Sequence, residues 1–412
     1  MEFLTADTLE QAREKLLQHG ASFLLRTETV SLQHALGKTL AVDIHSPCNI
    51  PDFRRSTVDG YAVFAKDTSA AGEGIPTFLT QVGTVEMGSL VSNVLRPGLC
   101  MQVSTGGMVP EGADAVVMVE YTEAFGAEGV EGVVVYRSVA AGENVVQIGD
   151  DVRYGDLLLR RGRKLLPQDI GALSAIGVTQ VPVYTAPKVT IFSTGDELVA
   201  PDAALTAGKV RDINSYTLAA IADTHDFSVL HTEVLPDCEV ILAERLRQAM
   251  THSDIVFVSG GSSQGEKDKT FEVIHTISTP GVFTHGLAIK PGKPTILGFD
   301  APTSTLLVGL PGHPVAAVLV FELLFGWLQQ TLRGAPTRPF VSGVLTANVP
   351  GGQGKLVCQL CTIRWTGAHY EVEPLFSKSG RITSLVEADG YFLLDRDTEG
   401  LTAGAHVQVT LF

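Results

Sequence analysis

Apolar residues first recur at helical spacing near the start of the chain, where Leu9, Ala12 and Leu16 share one face that runs out at Gly20. The segment Thr8-Leu-Glu-Gln11 has the Thr-x-x-Gln pattern of a capping box, so a helix is predicted to start there. A second, short helix is expected from Leu32 to Leu36, closed by Gly37. From Leu40 to Val146 the chain turns β-branched and rich in turn residues, which predicts a β-rich domain. Residues 147–180 carry Gly149, Gly155, Gly162 and Gly171, then the helix-like Gln168 to Ile176, and are expected to pack back on the N-terminal helices.

Beyond Pro187 strand-like runs alternate with helical patterns. Val189 to Phe192, Ser228 to Leu235, Ile255 to Val258 and Thr305 to Leu310 read as strands; Ser215 to Ala222, Val240 to Met250 and a stretch from Pro314 read as helices. That alternation predicts a mostly parallel sheet covered by helices. Arg333-Gly-Ala-Pro-Thr-Arg-Pro339 then reads as a linker, because its prolines cannot continue the preceding helix. Alternating stretches such as Tyr391 to Leu394 and Val407 to Leu411 predict a small all-β domain at the end.

Length and charge narrow the function. With 412 residues the chain exceeds one ordinary core and should form three or four domains. Acidic residues outnumber basic ones by 45 to 30, a net charge of -15 that repels polyanions and anionic membranes, so no nucleic-acid or membrane partner is expected. Neither a leader-like start nor an uninterrupted apolar run of about 18 residues occurs, which predicts a soluble, cytoplasmic protein. The five cysteines are scattered and odd in number, as reduced thiols would be. Cys358-Gln-Leu-Cys361 has C-x-x-C spacing, but it lies in a strand-like segment and lacks a second ligand pair.

In an open α/β sheet ligands bind beyond the carboxyl ends of the strands. The loops that follow these strands are Ser193-Thr194-Gly195-Asp196-Glu197, Ser259-Gly260-Gly261-Ser262 continuing to Asp268, and Gly309-Leu-Pro311-Gly312-His313-Pro314. Glycines admit close backbone approach, and hydroxyls and helix-opening N–H groups bind anions, so together they read as a phosphate or oxyanion cradle. Asp196, Glu197, Asp237, Glu266 and Asp268 crowd the same loops. Carboxylates beside a phosphate call for a cation between them, and Mg²⁺ is the hard ion that bridges the two. As helix N-caps or first-turn residues these acids have an alternative reading, evenly matched for Asp237 alone and weaker for Asp268. Lys290-Pro-Gly-Lys293 adds two cations on a stiff turn. With no nucleophile elbow, Walker loop or dinucleotide fingerprint, the residues predict a Mg²⁺-dependent enzyme acting on a small phosphorylated substrate.

The ordered set Ser56-Thr-Val-Asp-Gly-Tyr-Ala-Val63, Ser193-Thr-Gly-Asp-Glu-Leu198, Ser259-Gly-Gly, Ile289-Lys-Pro-Gly-Lys-Pro294, Gly309-Leu-Pro-Gly and Ser379-Gly-Arg-Ile382 resembles the MoeA-type molybdopterin molybdenumtransferases. The resemblance implies a discontinuous helical linker domain at 1–45 and 147–180, a β-rich domain at 46–146, a molybdopterin-binding α/β domain at 181–333 and a C-terminal β-barrel at 334–412. It further implies a homodimer with a site at its interface, and Mg²⁺-dependent insertion of molybdate into molybdopterin-AMP, giving the molybdenum cofactor and AMP. A molybdopterin adenylyltransferase and cofactor-accepting apoenzymes would be the partners.

Carried over by position, Asp59 and Thr105 stand for the β-rich domain's contribution and Asp151 for the acid of a Gly-Glu-Asp element, here Gly149-Asp-Asp151. Glu197, Asp237 and Asp268 stand for the catalytic and metal-binding acids. Relatives carry arginines where this chain has Val146, Gln147 and Ile148, a lysine at Gly286, and an asparagine at His313. Arg54, Arg55, His285 and His313 are the expected compensation. These departures leave open a tungstate insertase, a pterin or nucleotide pyrophosphate hydrolase, or a binding scaffold.

Overall fold

The computed structural model describes residues 6–91, 94–127, 130–260, 269–336 and 338–412. The first helix, Leu9–Leu24, is capped as expected: Thr8 Oγ1 accepts from the Gln11 N–H (3.2 Å), and Gln11 Oε1 accepts from the Thr8 N–H (2.9 Å). Its apolar face, Leu9, Ala12, Leu16 and Leu24, is buried in the core of the α/β unit, and Arg13 donates to the Leu323 carbonyl. The helix therefore does not receive residues 147–180. Those residues instead meet the chain just after it through strands: Thr27–Ser31 pairs antiparallel with Gln180–Tyr184, and Ile44–His45 with Leu157–Leu159. Ala35, Leu40, Leu165, Leu173 and Val183 close the small core between them. The second expected helix is a single tight turn, Leu32–His34, with Leu36 exposed beyond it, because too few apolar positions follow to hold a longer one.

The β-rich region is a six-stranded sheet in the order Ala115–Met118, Gly60–Val63, Leu99–Val103, Thr77–Thr84, Val130–Val135 and Thr122–Ala127. Side chains alternate across it, so Tyr61, Val63, Val117 and Val133 fill one core and Ala62, Met101, Val103 and Val116 another.

Four parallel strands form the heart of the α/β unit: Ser228–Leu235, Lys188–Thr194, Ile255–Ser259 and Thr305–Leu310, in that spatial order. Two further strands, Ile296–Asp300 and Pro280–His285, extend the edge antiparallel. Strand residues of one parity, Ile255, Phe257, Leu306 and Val308, pack under helices Asn214–Thr224 and Pro314–Phe321. The other parity, Val256, Val258 and Leu307, packs under Glu239–Met250 and Lys269–Ile277. The helical run Pro314–Arg333 is long and apolar enough to cross a membrane by length and composition, yet 78% of its most apolar window is buried. It is the core helix of this unit. A π-helical turn at Glu322–Gly326 interrupts it and places Glu322 beside His225 (3.1 Å) and Arg338 (2.7 Å) of the following linker.

In the C-terminal region the strands run Leu356–Trp365, Tyr370–Pro374, Phe340–Leu345, His406–Leu411 and Gly390–Leu394, and the last pairs back with the first to close a five-stranded barrel. Ile289–Lys290 of the α/β unit adds in parallel to Leu356–Val357 of the barrel. That pairing ties the barrel to the sheet edge where the glycine-rich loops emerge. Cys358 and Cys361 lie three residues apart on one strand and so face opposite sides: Cys358 the α/β core, Cys361 the barrel interior. Burial pushes both thiols up, Cys361 to about 12, which fits apolar packing rather than a metal or redox pair.

Candidate active site

The loops beyond the parallel strands open onto a cavity of about 1570 Å³. Its sheet-side wall includes Ser193, Thr194, Ser259, Gly260, Pro311, Gly312 and His313. Gly195 stands just behind, its N–H bonded to the Leu235 carbonyl (3.1 Å); a Cβ there would lie 2.7 Å from the Glu197 carboxylate folded over it. Gly260 has φ +112°, and a Cβ on it would collide with the Thr194 carbonyl oxygen. A Cβ on Gly312 would sit 3.4 Å from the Gly260 Cα, so the loops touch backbone to backbone. Gly260→Ala therefore meets both a left-handed backbone and a steric block, and should cost about 1–3 kcal/mol. Chemical denaturation of the two proteins checks this; equal midpoints would contradict the close packing.

A buried polar network fixes the loops from behind. Ser193 Oγ donates to Asp212 Oδ1 (3.0 Å) and lies 2.8 Å from Ser215 Oγ. Asn214 Nδ2 donates to Ser259 Oγ (2.7 Å) and to the Gly312 carbonyl (2.8 Å). Asp212 and Asn214 also line the cavity. Sequence reasoning missed them, because an acid and an amide just ahead of a helix read as ordinary caps.

Glu197 and Asp237 sit in the cavity wall, with Asp196 next to them accepting from the Asp237 N–H (3.2 Å). Partial burial, then the charges of Asp196 and Glu197, push the Asp237 carboxyl up, while Lys269 pulls it down. Among the described residues no group of three His, Cys, Asp or Glu side chains converges as a metal cage. Gly261, Ser262, Glu266 and Asp268 lie outside the described residues. Asp59 and Thr105 come together, the Thr105 N–H and hydroxyl both donating to Asp59 Oδ1 (2.7 and 3.2 Å). That pair belongs to the β-rich sheet, and neither it nor Asp151, whose N–H bonds the Ile50 carbonyl, lines the cavity.

Lys290 and Lys293 also line the cavity, joined by Lys355, Gln359, Lys378 and Ser379 of the C-terminal region. His313 Nδ1 lies 2.8 Å from Ser379 Oγ and the Val315 N–H bonds the Ser379 carbonyl, so the C-terminal region and the helix from Pro314 meet at residues that line the cavity. The barrel's share was invisible in composition; only the Ser379-Gly-Arg motif hinted at it. Two expected compensating residues are placed otherwise. His285 stacks on Phe271 (centroids 4.2 Å apart) and does not line the cavity, and the Arg54 guanidinium is engaged by the carbonyls of Ala113 and Pro110. Gly286 has φ +99°, a left-handed backbone that a lysine would adopt only with strain.

Residues 7–177 match the family described as MoeA N-terminal region (domain I and II), residues 190–330 the "Probable molybdopterin binding domain", and residues 342–412 the MoeA C-terminal region (domain IV). The chain belongs to the MoeA family. It is 31% identical to the molybdopterin molybdenumtransferase of Haemophilus influenzae over 98% of both chains, and 30% identical to that of Bacillus subtilis over 93% of this chain and 90% of the other. The crystal structure of the MoeA protein of molybdopterin biosynthesis from Pyrococcus horikoshii superposes with a TM-score of 0.85 at 32% identity, covering 99% of each chain. The fold is thus that of MoeA, and the chain is a transferase of molybdenum cofactor biosynthesis.

Proposed function

We propose that this MoeA-family chain inserts molybdate into adenylylated molybdopterin, with Mg²⁺, and releases AMP. The observation that carries the reading is the charge layout of one cavity: Glu197 and Asp237 line it together with Lys290, Lys293, Lys355 and Lys378. A neutral or purely acidic pocket has no use for that division, whereas a pyrophosphate-linked substrate plus an oxyanion needs both signs. Burial first, and then the charges of Asp196 and Glu197, disfavour the ionised Asp237 carboxyl, and a divalent cation beside it offsets both, so these carboxylates fit Mg²⁺. Glu197 and Asp237, with Asp268, would hold it, and it would supply charge neutralisation at the pyrophosphate.

The chain's own residues then position the reactants. The glycine loops bring backbone close to the phosphates, and the lysines neutralise oxyanion charge as point cations. Water attacks the pyrophosphate linkage, giving AMP and the pterin phosphate, and the two dithiolene thiols bond molybdenum as one oxide of molybdate leaves as water with their two protons. Asp59, Thr105 and Asp151 lie off the cavity of their own chain, which supports a reading in which a second copy brings them to it. Cytoplasmic location, a supplying adenylyltransferase and cofactor-accepting apoenzymes complete the proposal.

Lys355→Ala and Lys378→Ala should each weaken molybdate binding about tenfold or more, the worth of one charge-assisted contact. His285→Ala should leave it unchanged. Calorimetric titration decides; a strong effect of His285→Ala with none from the lysines would relocate the oxyanion.

A further inference from the structure

His313 and Ser379 reach the cavity lining from different parts of the chain, and His313 Nδ1 lies 2.8 Å from Ser379 Oγ. Both sides of that contact are held in place. The Arg381 N–H bonds the Lys378 carbonyl (3.0 Å), closing a turn with Ser379 and Gly380 at its centre, and the Val315 N–H bonds the Ser379 carbonyl (3.2 Å). A Cβ on Gly380 would lie 3.6 Å from His313 Cδ2, so one edge of the ring borders the glycine while the Nδ1 edge meets the hydroxyl. Among the described residues the Ser379 hydroxyl has no second partner. It carries one proton, so the state of Nδ1 decides where that proton points. Against a bare Nδ1 the hydroxyl donates to the ring and turns its lone pairs to the cavity. Against an Nδ1–H it accepts from the ring, and its own proton is released toward the cavity.

The surroundings select between the two. Lys290, Lys293, Lys355 and Lys378 line the same cavity, and four ammonium groups favour an anion, which asks for donors and not for lone pairs. We propose that His313 is a positioning residue: its Nδ1–H takes the Ser379 oxygen and so turns the hydroxyl into a donor for the oxyanion that the lysines hold. Lysines act on an anion as mobile point charges, whereas a hydroxyl on a closed turn adds a contact of fixed direction. The identity of the oxyanion as molybdate rests on the functional reading above; the donor logic holds for any oxyanion in the cavity.

The test is calorimetric titration of the full-length protein with molybdate and, in parallel, with inorganic pyrophosphate. His313→Ala and Ser379→Ala should each weaken binding about tenfold, the worth of one hydrogen bond to a charged group. The double variant should bind no more weakly than Ser379→Ala, because His313 acts only through that hydroxyl. Asparagine presents an amide N–H where Nδ1 stood, so His313→Asn should stay within about threefold of wild type. A ring that merely braced the turn would not be replaced by an amide. His313→Asn and Ser379→Ala leave the backbone bonds of the turn in place, so the comparison stands even where the alanine at 313 unfolds the protein. Losses that multiply in the double variant, wild-type affinity in His313→Ala, or an asparagine variant no better than the alanine one would each overturn the role of His313. Two probes keep this result apart from the functional reading. Molybdate binding without the coupling removes only the positioning role. Coupled binding of pyrophosphate with no binding of molybdate keeps that role and removes the insertase reading, and a wild type that binds neither overturns both.

Discussion

Replacing Asp237 with Asn is expected to cut AMP release by about 10²–10³-fold or more, the scale of losing one preorganised electrostatic group, while making the protein more stable at neutral pH. Both effects come from the same crowding. Partial burial and the neighbouring Asp196 and Glu197 charges raise the Asp237 carboxyl above its ordinary 3.8, so the fold disfavours the ionised form. As pH rises from 3.8 the unfolded chain ionises first, and native stability falls through the window up to the raised folded value; above it the penalty is complete. Asparagine removes that penalty. The Asp237 side chain is solvent-exposed, so solvent screens the gain, and the prediction concerns its sign and pH range. Thermal unfolding should show the variant melting higher at pH 7, with the difference vanishing below pH 3.8. A variant that melts lower at pH 7, or releases AMP normally, contradicts the assignment.

Mixed dimers give the second large effect. Asp59 is held by Thr105 in the β-rich region and Glu197 lines the cavity of the α/β unit, and under the proposed two-fold arrangement each site takes one from each subunit. Asp59→Ala and Glu197→Ala homodimers should each be inactive. A dimer of one subunit of each kind concentrates both changes in one site and leaves the other intact, restoring about half of wild-type activity per dimer. Doubly tagged mixed dimers, purified away from both parents, make the comparison. Activity near zero in well-formed mixed dimers would place Asp59 and Glu197 in the same site of one subunit.

Wherever burial imposes a period, the sequence was legible. Ile255–Ser259 and Thr305–Leu310, buried throughout, match their apolar runs to within one residue, and the Thr8 capping box marks the first helix turn. The same logic located Ser193, Ser259 and Gly312, since ligand loops of a parallel sheet gather at one end. Long-range assembly was not legible. Nothing local says that Leu9 and Leu16 pack into the α/β core rather than against residues 147–180, or that Ile289–Lys290 pairs with Leu356–Val357, next to Lys355 of the cavity lining. Asp212 stayed hidden for another reason: one oxygen makes the capping contact that any reader would assign, and only coordinates show the other unpartnered. His285 misled because its nearness in sequence to Gly286 suggested compensation, whereas its ring packs on Phe271.

The measurement that bears most directly on the central claim is AMP release from molybdopterin-AMP with Mg²⁺ present, with and without molybdate, followed by transfer of the product to a molybdenum-free apoenzyme. AMP release is expected to depend on molybdate, and the apoenzyme to gain activity in proportion to it. AMP released equally without molybdate, with no gain in apoenzyme activity, would mark a pyrophosphate hydrolase and contradict the insertase reading.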